Sequence, residues 1–214
     1  RDTFQMLQEQ SVNMESKPFA VGVRIEHPRE QIDRIQYKEH YGTMPLPTAS
    51  YKLTHQCSNG RSAFTFCMCP GGYVVNASSE PERTCVNGMS YSGRNAANAN
   101  SAIIISVTKN DFGGEDALAG MRYQRMLEHK NYLLGNGKIP QQLFGDYCQN
   151  VESTAYGAFA SETKGQTVFS NLRGLMSDEM EQSFMKGMTH FAKIVTGFDR
   201  ADAILSGMET RTSS

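Results

Sequence analysis

Three clusters in this chain have residue types and spacings that could do chemistry. The first is Cys67-Met68-Cys69-Pro70-Gly71-Gly72. On a strand, residues two apart share a face, so both thiols are expected to point the same way as Thr65, with Phe64, Phe66 and Met68 opposite. Two extended residues span about 6.6 Å, the upper limit for a relaxed disulfide, so the pair is poorly built for dithiol–disulfide exchange. It has no two further ligands nearby for zinc, and no metal site is expected. The chemistry that remains is a thiol beside a bound cofactor or substrate; the plainer reading is two small buried hydrophobes.

The second cluster is Asn87-Gly88-Met89-Ser90-Tyr91-Ser92-Gly93-Arg94, followed by Asn95, Asn98, Asn100 and Ser101. Its small residues let the backbone approach a ligand, and its Asn side chains both donate and accept. Arg94 can hold a carboxylate or phosphate in a bidentate pair. The competing reading is a polar connection whose Asn residues cap turns. The third cluster, Arg24-Ile25-Glu26-His27-Pro28, gathers three ionisable groups at a strand end. A Glu26–His27 pair suits acid–base work, and a surface ion pair explains the same residues. The glycine-rich phosphate loops, the nucleophile elbow and the H-E-x-x-H zinc motif are all missing, and Gly113-Gly114 lacks the third glycine of a dinucleotide fingerprint.

The elements that must position these clusters change character along the chain. Residues 1–16 read as a helix that opens without a cap, as in a segment cut from a longer chain. Phe19, Val21, Val23 and Ile25 alternate as a half-buried strand that His27-Pro28 should end. A short helix is expected from Pro28 to Tyr37, with Ile32 and Ile35 inward, then a proline-stiffened loop over 42–47. Strands follow at 50–57 and 62–69 around an Asn59-Gly60 turn, and at 73–77 after a Pro70-Gly71 turn. Asn87-Gly88 is expected to turn a hairpin between 83–86 and 89–91. Ala102–Val107 reads as a strand buried on both faces. So many close strands predict a small β-barrel-like module or a strongly curled antiparallel sheet over residues 17–112.

Residues 113–208 are expected to form a mainly helical subdomain, giving an α+β fold. A helix is predicted over 115–134, a short one opened by Pro140 with Leu143, Phe144 and Tyr147, and a loop over 151–167. Ser177 is the expected N-cap of the last helix, whose Met180, Phe184, Met188, Phe191 and Val195 form an apolar stripe ending at Gly197. That stripe reads as core packing, with an adaptable partner groove as the alternative.

The net charge of −1 excludes the long-range field of a nucleic-acid or anionic-membrane binder. No run of about 18 apolar residues is present to span a bilayer. Five cysteines without a signal peptide suggest reduced thiols and a cytoplasmic protein.

Several stretches together resemble one family. Arg1–Phe4, Lys17–Pro28, Phe66–Ala77, Asn87–Ser92, Asn98–Ala102 and Glu209–Ser214 are similar, in that order, to the uncharacterised FAD-dependent dehydrogenases of bacteria and plastids. In that family the FAD-binding fold is split by a large inserted domain, and this chain looks like the insert. The resemblance implies no complete dinucleotide-binding fold here, a junction helix at 1–16 and a return strand at 209–214. It implies FAD held by the rest of the parent chain, which is then the domain's partner, and an oxidoreductase activity that this segment lacks in isolation. It leaves the small-molecule substrate open, with NAD(P)H as the electron donor considered. Cys67, Cys69, Pro70, Gly71, Gly72, Asn87, Ser90, Arg94, Asn98 and Asn100 become the residues expected to face flavin or substrate, with Arg24, Glu26 and His27 behind them. The rival to an enzyme fragment is a non-enzymatic interaction module using the Met-rich helix and the Asn/Gly loop.

Overall fold

A computed structural model of the chain describes residues 1–114 and 116–211. The alternation from Phe19 onward forms strand β1 (Phe19–Pro28), and the apolar run forms β6 (Asn98–Val107), ten residues each. They pair antiparallel along their full lengths, from Phe19 opposite Val107 to Pro28 opposite Asn98. Val21, Val23 and Ile25 face one side with Ile103, Ile105 and Val107, while Arg24 and Glu26 face the other beside Ala102 and Asn100.

The remaining strands are β2 (Thr54–Gln56), β3 (Ser62–Cys69), β4 (Tyr73–Asn76), β5 (Val86–Met89), β7 (Ile139–Leu143), β8 (Thr167–Phe169) and β9 (Ile204–Glu209). Five of them join β1 and β6 in one seven-stranded sheet of order β2-β3-β6-β1-β9-β7-β8, and β4-β5 is a separate antiparallel ribbon. The fold is α+β as expected, but the sheet is open, with β2 and β8 at its edges, and is not closed into a barrel. Nor is it purely antiparallel, since β7 and β8 run parallel.

The helices are α1 (Asp2–Glu9), α2 (Arg29–Tyr37), α3 (Lys109–Phe112), α4 (Ala119–Leu134), α5 (Phe144–Gln149) and α6 (Asp178–Ile194). Met180, Phe184, Met188 and Phe191 on α6 are fully buried in the core they share with the apolar side of β1 and β6, the helix itself lying over β2, β3 and β6. Burial of each such side chain stabilises the fold by about 1.5–3 kcal/mol, which is what fixes α6 to the sheet. The stripe is therefore core, and it cannot serve as the surface of an interaction module. No helix among the described residues is long and apolar enough to cross a membrane.

β1 ends at His27-Pro28 as expected, with Pro28 its last residue and no further ladder amide needed. Three other local expectations change. Asn87-Gly88 lies inside β5, opposite Val75 and Val74, and the ribbon is joined instead through residues 77–85. Asn98 and Asn100 belong to β6 and are buried, so they do not cap turns. Pro140 sits in β7 and opens no helix. The Ile139 amide donates toward β8, to Gln166 O, so the next nitrogen, that of Pro140, faces the β9 side. There pairing begins only at Gln141. Residues 113–208 thus supply α4, α5 and α6 and also three strands of the common sheet.

Candidate functional site

The polar side of the sheet is built around Arg24, whose side chain is fully buried. Its Nε donates to Glu209 Oε2 (2.5 Å), and Nη2 reaches Glu209 Oε1 (3.4 Å) and Asn87 Oδ1 (3.1 Å). Its Nη1 donates to Asn100 Oδ1 (2.6 Å) and to the Cys67 carbonyl (3.0 Å), and lies 3.8 Å from Cys69 Sγ. A register shift between β1 and β9 beyond Val23 keeps both Glu209 and Ser206 on the Arg24 side. Burial pulls the guanidinium pKa down, but Glu209 outweighs it and holds Arg24 above its ordinary value, as a cation. Burial pushes the Glu209 carboxyl up, with Arg24 opposing.

Arg24 therefore gathers four of the residues singled out by type and spacing, namely Cys67, Cys69, Asn87 and Asn100. Gly88 is required in this arrangement, because a Cβ there would stand 2.0 Å from Arg24 Nη1 and 2.5 Å from Asn100 Oδ1. The two cysteines do not share a face. A bulge between Phe66 and Cys69 puts Cys67 at φ 46, exposed, and turns Cys69 inward. Burial pushes the Cys69 thiol up, the opposite of an activated thiolate, with Arg24 pulling against it.

In front of Arg24 lies an open cavity of about 810 Å³ whose wall includes Cys69, Pro70, Gly88, Ser90 and Arg94, with Met68, Met89 and Tyr91. Ser90 Oγ donates to the Pro70 carbonyl (2.8 Å), and the Ala96 amide donates to Gly71 O (3.2 Å). Gly71 has φ 48, and a Cβ there would meet Arg94 O at 1.9 Å, so only glycine lets this turn seat against the Arg94 loop. The Gly72 amide donates to Asn98 O (3.0 Å), which ties the turn to the start of β6. Lys164, whose ammonium stands 4.0 Å from the Tyr73 ring centre and 5.8 Å from that of Tyr91, adds positive charge near Tyr91.

Glu26, Asn98 and His27 stand apart from that cavity. Glu26 is fully buried and accepts from Asn98 Nδ2 (3.1 Å), Ser161 Oγ (2.6 Å), the Glu162 amide (2.9 Å) and Thr163 Oγ1 (3.4 Å). Burial nevertheless pushes its pKa up. His27 Nε2 donates to the Phe198 carbonyl (2.7 Å), and burial lowers its pKa to about 4. The three ionisable groups are thus buried with separate partners. They form neither a surface ion pair nor a Glu–His acid–base pair.

Glu209 and Tyr91 were not among the expected site residues. A lone acid in the short β9 was the available signal for Glu209, since a charge in a buried strand needs a partner.

As a fit for flavin, the cavity offers small residues and exposed backbone over which a planar ring can lie, and its size falls within the range of small-molecule sites. The described residues fit as a cover for such a ring; the glycine-rich turn that binds the dinucleotide phosphates is not in the sequence.

A family model described as FAD-dependent protein, C-terminal domain-like, matches residues 18–212. An uncharacterized protein of Clostridium beijerinckii is 42% identical over 217 residues, an alignment that takes in all of this chain and 41% of that relative. The chain therefore spans well under half the length of this relative. It belongs to the FAD-dependent protein, C-terminal domain-like family.

Proposed function

We propose that this domain is the substrate-side cover of an FAD-dependent oxidoreductase, inserted between the two parts of its parent chain's FAD-binding fold and inactive alone. The observation that carries this reading is the meeting of two separate stretches, 66–77 and 87–94, at one cavity braced from behind by Arg24. Bound flavin would supply two-electron transfer at its ring. Ser90, Tyr91, Met89 and Cys69 would exclude water and orient the substrate above it.

The reading is tested in the full-length gene product containing this chain. Ser90→Trp, which fills the cavity, should leave FAD content unchanged and slow flavin reduction by NADH or NADPH at least tenfold. An unchanged reduction rate would remove the cavity from the path of the electron donor.

A further inference from the structure

Arg94 differs from every other arginine among the described residues. Arg1, Arg24, Arg61, Arg173 and Arg200 each clasp an acid within hydrogen-bond distance, and the remaining arginines all stand within ion-pair reach of a carboxylate. Arg94 has no such partner among the described residues, and it lines a cavity whose wall holds no carboxylate. Its backbone is held in the left-handed region at φ 46, a conformation unfavourable for a side chain of this kind. Three contacts pin it there: its amide donates to Tyr91 O (3.0 Å), and its carbonyl accepts from Thr48 Oγ1 (3.2 Å) and Arg29 Nη1 (3.4 Å). The fold thus fixes the base of an unpaired guanidinium at the cavity wall, beside the hydroxyls of Thr48 and Ser92 and the apolar surfaces of Met68 and Met89.

A guanidinium presents a rigid planar fork that matches the two oxygens of a carboxylate. A phosphate monoester carries more charge and a third oxygen, and this wall offers it one cation only. Methionine side chains adapt to hydrocarbon of varied shape. We infer that the cavity binds an organic acid, with its carboxylate on Arg94 and its hydrocarbon part against Met68 and Met89. As a statement about substrate class it rests on the proposed function; as a statement about binding it does not.

The test is calorimetric titration of the FAD-loaded full-length gene product with benzoate, benzamide and phenyl phosphate, with the flavin absorbance recorded in parallel. Benzoate should bind at least tenfold more tightly than its uncharged isostere benzamide. Arg94→Asn, which tolerates the left-handed backbone, should bring benzoate down to the benzamide level without lowering Tm, and Arg94→Lys should restore part of the difference. The inference is overturned if benzoate fails to bind or binds no better than benzamide, if Arg94→Asn leaves benzoate affinity unchanged, or if phenyl phosphate binds more tightly than benzoate. Benzoate binding that requires Arg94 yet leaves the flavin spectrum unmoved would keep the inference and refute the flavin-covering role. Equal affinity for benzoate and benzamide, with both perturbing the flavin spectrum, would do the reverse.

Discussion

Arg24 brings a charge into a strand buried on both faces, and its partner Glu209 lies 185 residues away. Removing one member of such a pair leaves the other charge buried and unpaired, which costs about 3–5 kcal/mol. Arg24→Met should lose about that much in a denaturant titration, because Glu209, Asn100, Asn87 and the Cys67 carbonyl all lose a donor. The double variant Arg24→Met/Glu209→Met should be more stable than Arg24→Met alone. Equal stability of Arg24→Met and wild type would mean that the hub contributes nothing to the fold. At this scale the sequence revealed residue types but not their pairing. Cys67, Cys69, Asn87 and Asn100 stood out by composition, yet what unites them is a guanidinium from β1. The shared face expected for the two thiols failed because strand alternation holds only where the ladder is regular, and the bulge after Phe66 breaks it.

Among the elements, long and strongly periodic ones were legible. β1, β3 and β6 and the apolar stripe of α6 follow directly from alternation or from three-to-four spacing. β7, β8 and β9 are short and pair with strands far away in sequence, so local pattern could not reveal them. Asn87-Gly88 has the composition of a turn, yet it lies within a strand because Gly88 makes room for Arg24 and Asn87 binds it. His27 joins the end of β1 to the segment after α6 through the Phe198 carbonyl. Its folded pKa of about 4 lies below its ordinary 6.5, so between these values the unfolded chain binds more protons than the folded one. Stability from this group is complete above pH 6.5 and is lost as pH falls toward 4, by about 3 kcal/mol in all. Urea titrations across that range should show the slope in wild type and flatten it in His27→Gln, which keeps a donor but does not titrate. An unaltered slope would assign the acid sensitivity to other groups.

Across the whole molecule, an open sheet carries its apolar core on one side and a buried polar layer on the other. The barrel expected from strand spacing fails because β9, β7 and β8 extend the sheet beyond β1 and leave it with two edges. The Arg1 and Arg211 ends of the described chain converge on Glu128, a fully buried carboxylate that also accepts from Thr210 Oγ1 at 2.5 Å. Family membership was legible because several long stretches agree in order; the cavity was not, because it exists only once residues 66–72 and 87–94 are brought together. The most direct measurement is a crystal structure of the FAD-loaded full-length gene product. The flavin ring should lie against the wall formed by Pro70, Ser90 and Tyr91, within about 4 Å of its side chains. A flavin bound elsewhere, with that cavity facing open solvent, would contradict it.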